Sequence, residues 1–410
     1  MNDKKTILKI TVQLLCFSLF SITAIGQEQK AVSADTAFNQ RDIIDMLRPL
    51  FFKNKSSSAK RDSGISNKKI YFSLLPASTG IPGGGAALVT STNMSFYLGD
   101  KKNTSLSVVS FTPYTNFQGR YVFPIRSNIW LNNNDWNFIG DLRFMIYPQN
   151  SWGLGGHTPK EQETLISYKY VRFYESALKK ISRNFFAGIG FNLDNHFDVT
   201  AYGDSGFYKS LRPYYDSLES NTQSTGISFI VQYDSRKNSN NPTGGMYASA
   251  SFRANPSIFP NTGNWDQLFL DFRKYFSFSS KEQNILGFWS YYWMVNKGYI
   301  PYLDLPSTGW DPYARSGRGF YQSRYRSDKQ LYFETEYRKD LTKNGLFGFV
   351  LFANLSSVSE FHTNDFIYWL PAGGAGLRLK LNKFSRTNIV FDYAFSKEMN
   401  TYYLNIGETF

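Results

Sequence analysis

The side chains that most often carry catalysis or bind metal are scarce in this sequence. The histidines are only His157, His196 and His362. We expect each in a solvated loop, because none has an Asp, Glu or Cys neighbour at metal-ligand spacing. No Gly-x-Ser-x-Gly elbow is present, and the glycines at 83–85 and 153–156 fit turns better than phosphate cradles. Asp194, Asp198 and Asp204 offer oxygen ligands for calcium, but not at the spacing of a known calcium loop. The sequence therefore predicts no catalytic residue, no metal, no cofactor and no enzyme.

Strand-length segments of alternating polarity are the elements that would position polar side chains here. Residues 226–234 are the clearest case, and residues 136–146 show the same pattern. A third segment places leucines on one face: Leu377, Leu379 and Leu381. Asp, Glu and Arg recur on the opposite faces, and a packed sandwich core would leave these charges unpaired. This pattern predicts one face for lipid and one for a hydrated lumen.

Turn residues divide the chain after residue 68 into about sixteen such segments. The strands are expected near 68–77, 84–98, 103–116, 118–131, 135–148, 163–177, 183–194, 225–235, 245–255, 264–278, 283–296, 328–339, 345–357, 371–381, 386–396 and 401–410. Short connectors such as 132–134 and 341–344 alternate with long ones. The long connectors are 149–162, 195–224, 297–327 and 359–370. A soluble all-β protein shows the same alternation of side chains, but has no reason for this asymmetry of connectors. The sequence predicts an all-β transmembrane antiparallel barrel with long external loops.

The N-terminal residues resemble a secretory signal. Lys4 and Lys5 precede an apolar run at 12–25, which is shorter than the ~20 residues of a membrane-spanning helix. We expect cleavage after Gly26. The expected domains are a signal peptide at 1–26, a periplasmic linker at 27–67 and an outer-membrane barrel at 68–410. Residues 42–47 form either a short amphipathic helix or part of a disordered tether, and the polar composition favours the tether.

The basic charge of the chain indicates which partners to expect. The formal net charge is +13, of which the signal contributes +2. The positive residues are dispersed along the chain, and a secreted protein does not meet nucleic acid, so we expect no nucleic-acid partner. Lipid headgroups and lipopolysaccharide phosphates in the outer membrane of a Gram-negative cell are the expected anionic partners. The terminal aromatic Phe410 would also make the chain a client of the barrel-assembly machinery.

Three groups of residues resemble motifs of the BamA/TamA, or bacterial surface-antigen, barrels. Gly317-Arg318-Gly319-Phe320 and the later Glu336-Tyr337-Arg338 resemble a Val-Arg-Gly-Phe/Tyr loop motif and its Glu-x-Arg strand. Asp234-Ser235-Arg236 with Pro242-Thr243-Gly244-Gly245 is similar to an Asp-x-Arg and Pro-Thr-x-Gly turn. Leu404-Asn405-Ile406-Gly407-Glu408-Thr409-Phe410 resembles the terminal strand with its closing aromatic. The resemblance covers the last half of the chain and implies a barrel that inserts or transports outer-membrane proteins.

The sequence departs from this family at several positions. Gly317 stands where the loop motif has valine. In residues 352–356, Asn354 and Ser356 replace the acid and the glycine of a Phe-x-Asp-x-Gly strand. Family members that insert proteins carry POTRA modules ahead of the barrel, each larger than the segment 27–67. We therefore expect a member that lacks POTRA modules, whose periplasmic partner is unknown.

The resemblance implies that the tip of the loop 297–327 folds back into the lumen, with Arg318 as its anchor. A barrel of about sixteen strands leaves a channel that needs such an occupant. Glu334, Glu336 and Arg338 share one face of their strand by the two-residue period, and we assign that face to the lumen. Glu336 is then the expected partner of the forked guanidinium. We expect Asn354 to accept a hydrogen bond in place of the family's acid, which weakens the anchor by about 1 kcal/mol.

These observations lead to two function classes. The first is an outer-membrane barrel of the BamA/TamA type with a role in protein or lipid translocation or assembly. The second is a passive pore or structural surface antigen without insertase activity. Steady conductance in a planar bilayer would favour the second class, and a defect in the folding of other barrels after depletion would favour the first.

Overall fold

The computed structural model describes most of the expected barrel and a short part of the linker. The described residues are 40–43, 45–46, 70–81, 85–116, 119–203, 218, 221–257, 264–279, 283–296, 298, 300–383 and 385–410. The expected signal peptide, its cleavage site and most of the expected linker lie outside them.

The described strands form one antiparallel sheet. The strands are β1 (Ile70–Ile81), β2 (Gly85–Phe96), β3 (Ser107–Phe111 and Tyr114–Asn116), β4 (Tyr121–Trp130), β5 (Trp136–Ile146 and Gln149–Ser151), β6 (Thr164–Ser182), β7 (Phe185–Tyr202), β8 (Thr222–Asp234), β9 (Gly245–Asn255), β10 (Trp265–Ser277), β11 (Asn284–Asn296), β12 (Lys329–Asp340), β13 (Phe347–Val358), β14 (Leu370–Asn382), β15 (Thr387–Ser396) and β16 (Asn400–Ile406). Both pieces of β3 pair with β2 and β4, and both pieces of β5 pair with β6.

Each strand pairs with the next strand in the chain, from β1 with β2 to β15 with β16. Some Cα atoms of β1 and β16 lie within 8 Å of each other, and the pairings of the described strands include no ladder between these two. Each of the sixteen expected strands corresponds to one observed strand. The expected length of β7 is wrong: the strand runs on to Tyr202, because its ladder with β6 and β8 continues past Asn195.

The two faces of the sheet differ as the alternation predicted. On β8, Ile227 and Phe229 are 53% and 59% exposed, whereas Ser228 and Gln232 are buried. The expectation for Leu381 is wrong. Leu381 is buried instead of facing outward, because the register of β14 shifts between Lys380 and Asn382, and this irregularity interrupts the alternation at Leu381.

Helical structure is limited to short turns in the described ranges. Among the described residues, 3-10 helices lie at Asn132–Asn134, Lys160–Gln162 and Tyr302–Asp304, and Leu218 also has 3-10 conformation. No described helix has the length and apolar character to cross a bilayer.

The long connector between β11 and β12 folds into the lumen, as expected. Its residues Tyr302, Leu305 and Phe320 are almost fully buried. Tyr302 and Leu305 pack in one apolar cluster with wall residues that include Tyr168 and Trp265. We call residues 300–328 of this connector the inner loop. Apolar burial holds the first part of the inner loop against the wall.

The described part of the linker lies against one end of the sheet. We call this the short-turn end, because it carries the connectors 341–346 and 383–386. The backbone N–H of Arg41 donates to the carbonyl of Asn344 at 3.0 Å, and the N–H of Lys383 donates to Asp42 Oδ2 at 3.1 Å. Asp42 Oδ1 also accepts from the N–H of Asp45 at 3.0 Å, which caps a helical turn.

Candidate functional site

A tight turn at the tip of the inner loop presents Arg318 to the wall. Gly317 and Gly319, on either side of it, have φ values of +76° and +98°, which side-chain-bearing residues rarely adopt. A Cβ on Gly319 would also lie 2.8 Å from the Cβ of Ala372. The N–H groups of Gly317 and Gly319 donate to the hydroxyls of Tyr332 (3.1 Å) and Tyr403 (2.9 Å). Two tyrosines of the wall therefore hold the backbone that carries Arg318.

The Arg318 guanidinium lies among three carboxylates of the wall. Its Nη1 donates to Asp392 Oδ2 at 2.6 Å, and its Nη2 lies 3.3 Å from Glu336 Oε1 and contacts Glu334 Oε1. The plane of the guanidinium covers the ring of Phe352, with Cζ 3.5 Å from the ring centroid. Burial opposes this charge, but the carboxylates outweigh it and hold the pKa of Arg318 well above its usual range. Arg318 is a permanently charged tie between the loop and strands β12 and β15.

Two further arginines join these carboxylates into one network. Arg378 donates to Asp392 Oδ1 at 2.5 Å, to Glu408 Oε2 at 2.8 Å and to Glu336 Oε1 at 3.2 Å. Arg338 donates to Glu336 Oε2 at 2.7 Å. We call this network the first cluster, with seven members: Arg318, Arg338, Arg378, Glu334, Glu336, Asp392 and Glu408.

Only part of the first cluster is predictable from the sequence. The sequence predicts a lumen role for Arg318, Glu336 and Arg338, and places Glu334 on the same face without a role. Asp392 and Arg378 were missed as partners, although each stands in a strand between outward apolar residues. A charged residue between outward apolar residues indicates a buried charge in the lumen. The pattern does not indicate which charged residue of another strand pairs with it.

Asn354 contacts the loop in a different way from the one expected. Its Nδ2 donates to the backbone carbonyl of Arg318 at 2.9 Å. The expectation that Asn354 accepts a bond is therefore wrong, since the amide acts as donor and its Oδ1 has no hydrogen-bond partner among the described residues. A carboxylate at this position could not make the same bond when ionised. Phe320, next in the loop, is buried with Tyr325, Val358 and Ala372.

The turn motif of the sequence analysis lies at the short-turn end, between β8 and β9. Arg236 forms a two-point ion pair with Asp234, at 3.0 Å and 2.7 Å, and its guanidinium lies over the ring of Tyr247. Pro242 precedes Gly245, whose φ is +89° and whose missing Cβ would meet the carbonyl of Ser235 at 2.3 Å. The motif therefore fixes a compact turn, remote in sequence from the inner loop.

The C-terminal residues leave the sheet earlier than expected. The strand β16 ends at Ile406 instead of continuing to Phe410, because Gly407 has a φ of +85° and turns the backbone inward. Asn405 remains on the strand and is exposed. Phe410 is buried near Trp289, with its oxygen 2.7 Å from Arg338 Nη2. The terminal aromatic is thus part of the lumen packing.

A second network of buried charge lies on strands β4 to β9 and was not predicted. Asp194 accepts from Arg253 at 2.6 Å and lies 3.4 Å from Arg172, while Asp141 pairs with Arg143 at 2.5 Å. We call this network the second cluster, with six members: Arg126, Arg143, Arg172, Arg253, Asp141 and Asp194.

Asp304 of the inner loop contacts two wall residues beside the second cluster. This carboxylate accepts from the Ser224 hydroxyl at 2.6 Å and lies 3.7 Å from His196. Burial, reinforced by the nearby Asp194, raises the pKa of Asp304 to about 7. The expectation that His196 is a solvated loop residue is wrong, because the longer β7 carries it into the wall, where its ring stacks on Tyr170. His157 and His362 are exposed, as expected.

The described residues do not bring metal ligands together. No group of three His, Cys, Asp or Glu side chains within the described ranges has the geometry to hold a metal ion. Asp194, one of three candidate calcium ligands, instead faces arginines, and Asp204 lies outside the described residues. The arrangement instead pairs charged side chains of the inner loop with charged side chains of the strands.

Comparison with solved structures supports the barrel fold. The crystal structure of BamA from Haemophilus ducreyi lacking POTRA domains 1–3 matches with a TM-score of 0.50 and 13% sequence identity. The match covers 83% of this chain and 69% of that one. The resemblance to BamA-type barrels is therefore confirmed at the level of the fold.

Two CdiB barrels are also similar to this chain. CdiB from Acinetobacter baumannii has a TM-score of 0.49 and 10% identity, over 83% of this chain and 59% of its own. CdiB from Escherichia coli has a TM-score of 0.49 and 12% identity, over 82% of this chain and 66% of its own. The chain thus spans less than two thirds of either CdiB chain. No protein-family model and no curated protein matches the sequence at a significant level.

Proposed function

We propose that this chain is an outer-membrane barrel of the BamA type that acts in the translocation or assembly of protein or lipid. The observation that carries the proposal is the attachment of Arg318 to Glu334, Glu336 and Asp392 inside the lumen. A buried guanidinium with three carboxylate partners fixes the loop in one position, and a fixed inner loop is what the motif resemblance implies for such barrels.

The outward face supports a location in a bilayer. Between the two ends of the sheet it exposes large apolar side chains, among them Phe144, Phe191, Ile227, Phe229 and Leu377. Exposure of that extent is costly in water and favourable in lipid. Outer-membrane lipids and lipopolysaccharide remain the proposed partners, together with the assembly machinery that would insert the chain and an unidentified periplasmic protein.

The passive pore is the less favoured alternative. A constitutive pore needs a continuous water path through the barrel. Here Tyr302, Leu305 and Phe320 of the inner loop are buried against the wall, and Arg318 ties the tip in place. These contacts support a barrel that is closed at rest.

The test is a reconstitution of the full chain in liposomes, to which a urea-unfolded outer-membrane barrel is added. The folding rate of that barrel is followed by its heat-modifiable migration on a gel, and a fluorescent lipid in the same liposomes reports lipid transfer. We expect faster folding or lipid transfer than in empty liposomes. Arg318→Ala should abolish the effect.

A matched control is Arg183→Gln, which removes an exposed arginine from the turn between β6 and β7. This variant should behave as the unaltered chain does. If neither folding nor lipid transfer is accelerated, and the protein conducts steadily in planar bilayers, the assembly role is wrong and the pore is supported.

A further inference from the structure

A cavity of about 330 Å³ remains in the lumen between the tip of the inner loop and the wall. The loop side includes Trp310 and Tyr313, and the wall side includes residues of β4 and β5. The residues from Tyr403 to Thr409 close a third side. Its size is at the lower limit of small-molecule pockets, which excludes an extended peptide of several residues.

Positive charge dominates the lining of this cavity. Arg126 of β4, Arg143 of β5 and Arg315 of the loop all line it. Asp141 is the carboxylate closest to two of them, but Arg143 occupies both of its oxygens, at 2.7 Å and 2.5 Å. Arg126 is left at 3.8 Å from Asp141, beyond hydrogen-bond distance.

Two of these guanidiniums keep donors that no described residue uses. The Nε of Arg126 is buried without a hydrogen-bond partner among the described residues, while its Nη1 donates to the carbonyl of Tyr313 at 2.9 Å. Arg315 contacts the backbone carbonyl of Glu408 and forms no ion pair with a described carboxylate. Arg126 and Arg315 both line the cavity, so two like charges that repel each other face the same space. An anion between them would remove that repulsion and satisfy the open donors.

The remaining walls of the cavity are largely apolar. Val122 and Met145 line one side, and Ile389 and Leu404 line another. A fully hydrated inorganic ion would gain nothing from these surfaces. An anion with a hydrocarbon portion would bury apolar area there while its charged head meets the arginines.

We propose that this cavity binds a single-chain anionic amphiphile, with its phosphate or carboxylate head between Arg126 and Arg315 and its alkyl part along the apolar walls. This inference does not depend on the proposed function, because a pore with the same lumen would hold the same ligand. The ligand chemistry is that of a lipid-derived alkyl phosphate or carboxylate, and free inorganic phosphate is the competing source of the same charge.

The experiment measures binding to the full chain in a nonionic detergent, by calorimetry and by native mass spectrometry. The probes are hexyl phosphate, inorganic phosphate and uncharged hexanol. We expect one molecule of hexyl phosphate to bind per chain, at least tenfold more tightly than inorganic phosphate, and no specific binding of hexanol. Equal binding of the two phosphates would overturn the amphiphile assignment, because the apolar walls would then contribute nothing.

Variants locate the site. Arg126→Gln and Arg315→Gln should each weaken hexyl phosphate binding at least tenfold, whereas Arg183→Gln, outside the lumen, should leave it unchanged. Thr112→Phe fills the cavity without altering its charge, so it tests the site even if an arginine variant fails to fold, and it should abolish binding. Binding that survives Thr112→Phe, or a peptide with a free terminal carboxylate that binds more tightly than hexyl phosphate, would overturn the proposal.

Discussion

The two buried charge clusters of the lumen differ in their balance of charge. In the first cluster, three arginines meet four carboxylates. In the second cluster, four arginines meet two carboxylates. The first cluster ties the tip of the inner loop through the side chain of Arg318. The second cluster contacts the loop mainly through backbone carbonyls, because Arg126 and Arg143 donate to Tyr313 and Pro312.

This difference predicts which type of charged side chain, arginine or acid, can be removed from each cluster at little cost in stability. A buried charge is costly when its counter-charges are removed, and the cost depends on how many remain. In the first cluster, each arginine is shared by several acids, so the loss of an arginine leaves acids that repel one another. In the second cluster the acids are the scarce component. We therefore expect the first cluster to lose more stability when an arginine is removed, and the second cluster to lose more stability when an acid is removed.

The largest effect is expected from Arg318→Ala in the first cluster. Its removal leaves Glu334 without an arginine partner in the cluster, while Glu336 keeps Arg338 and Arg378 and Asp392 keeps Arg378. Breaking a buried pair of this kind costs about 3–5 kcal/mol. Urea unfolding of the detergent-solubilised barrel should show that loss, and single-channel conductance or antibiotic entry should rise.

Glu336→Ala should also raise permeability, and the double variant with Arg318→Ala should be no worse than either single variant, because both remove the same contacts. If both single variants leave permeability unchanged, Arg318 does not hold the loop closed.

The second cluster should respond in the opposite sense. Asp194→Ala removes the shared acceptor of Arg253 and Tyr174, and should cost about 3–5 kcal/mol of unfolding free energy. Arg126→Gln removes a charge that is already in excess, and should cost about 1 kcal/mol or less. Both are measured by urea unfolding in the same detergent. Equal losses from the two variants would show that charge balance does not distinguish the clusters.

A smaller effect is expected from Asn354→Asp, beside the first cluster. The amide donates to the carbonyl of Arg318, and an ionised carboxylate would repel that carbonyl and add an acid to a cluster already rich in acids. We expect a loss of about 1–3 kcal/mol, the cost of an unsatisfied buried group. Protease cleavage in the inner loop should also become faster. Greater stability in Asn354→Asp would instead support the weaker anchor that the sequence alone suggested.

The strand plan could be predicted from the sequence because it depends on local information. Alternation of side chains and the residues of turns are enough to place a strand and its faces. The alternation on β12 also placed Glu334, Glu336 and Arg338 on one face. The predictions were wrong where strand pairing or a backbone torsion determines the local structure. These places are the bulge at Leu381, the extended end of β7 and the inward turn at Gly407.

The arrangement across the lumen could not be predicted from local patterns. Arg318 and Asp392 are far apart in sequence, and only the packing of the inner loop against β15 brings their side chains to 2.6 Å. The same holds for His196, which the extended β7 places beside Asp304. Whether Asn354 donates or accepts depends on the atom it faces, and a residue type alone cannot specify that.

The smallest effect is expected for the ion pair between Asp45 and Lys383 at the short-turn end, and it tests whether burial makes the two clusters costly. The atoms lie 2.8 Å apart, as close as several pairs of the clusters, but the side chains are 30% and 20% exposed. Partly hydrated pairs contribute at most about 1 kcal/mol and weaken with salt. Asp45→Ala should therefore change the unfolding free energy by no more than this, and less at high ionic strength.

Asp42→Ala is the matched variant, because Asp42 is buried and accepts backbone bonds from both Asp45 and Lys383. Its loss should cost about 1–2 kcal/mol, within the range for helix caps, and should depend little on salt. If Asp45→Ala instead costs as much as Arg318→Ala, pairing distance rather than burial sets the energy, and the contrast between the clusters loses its physical basis.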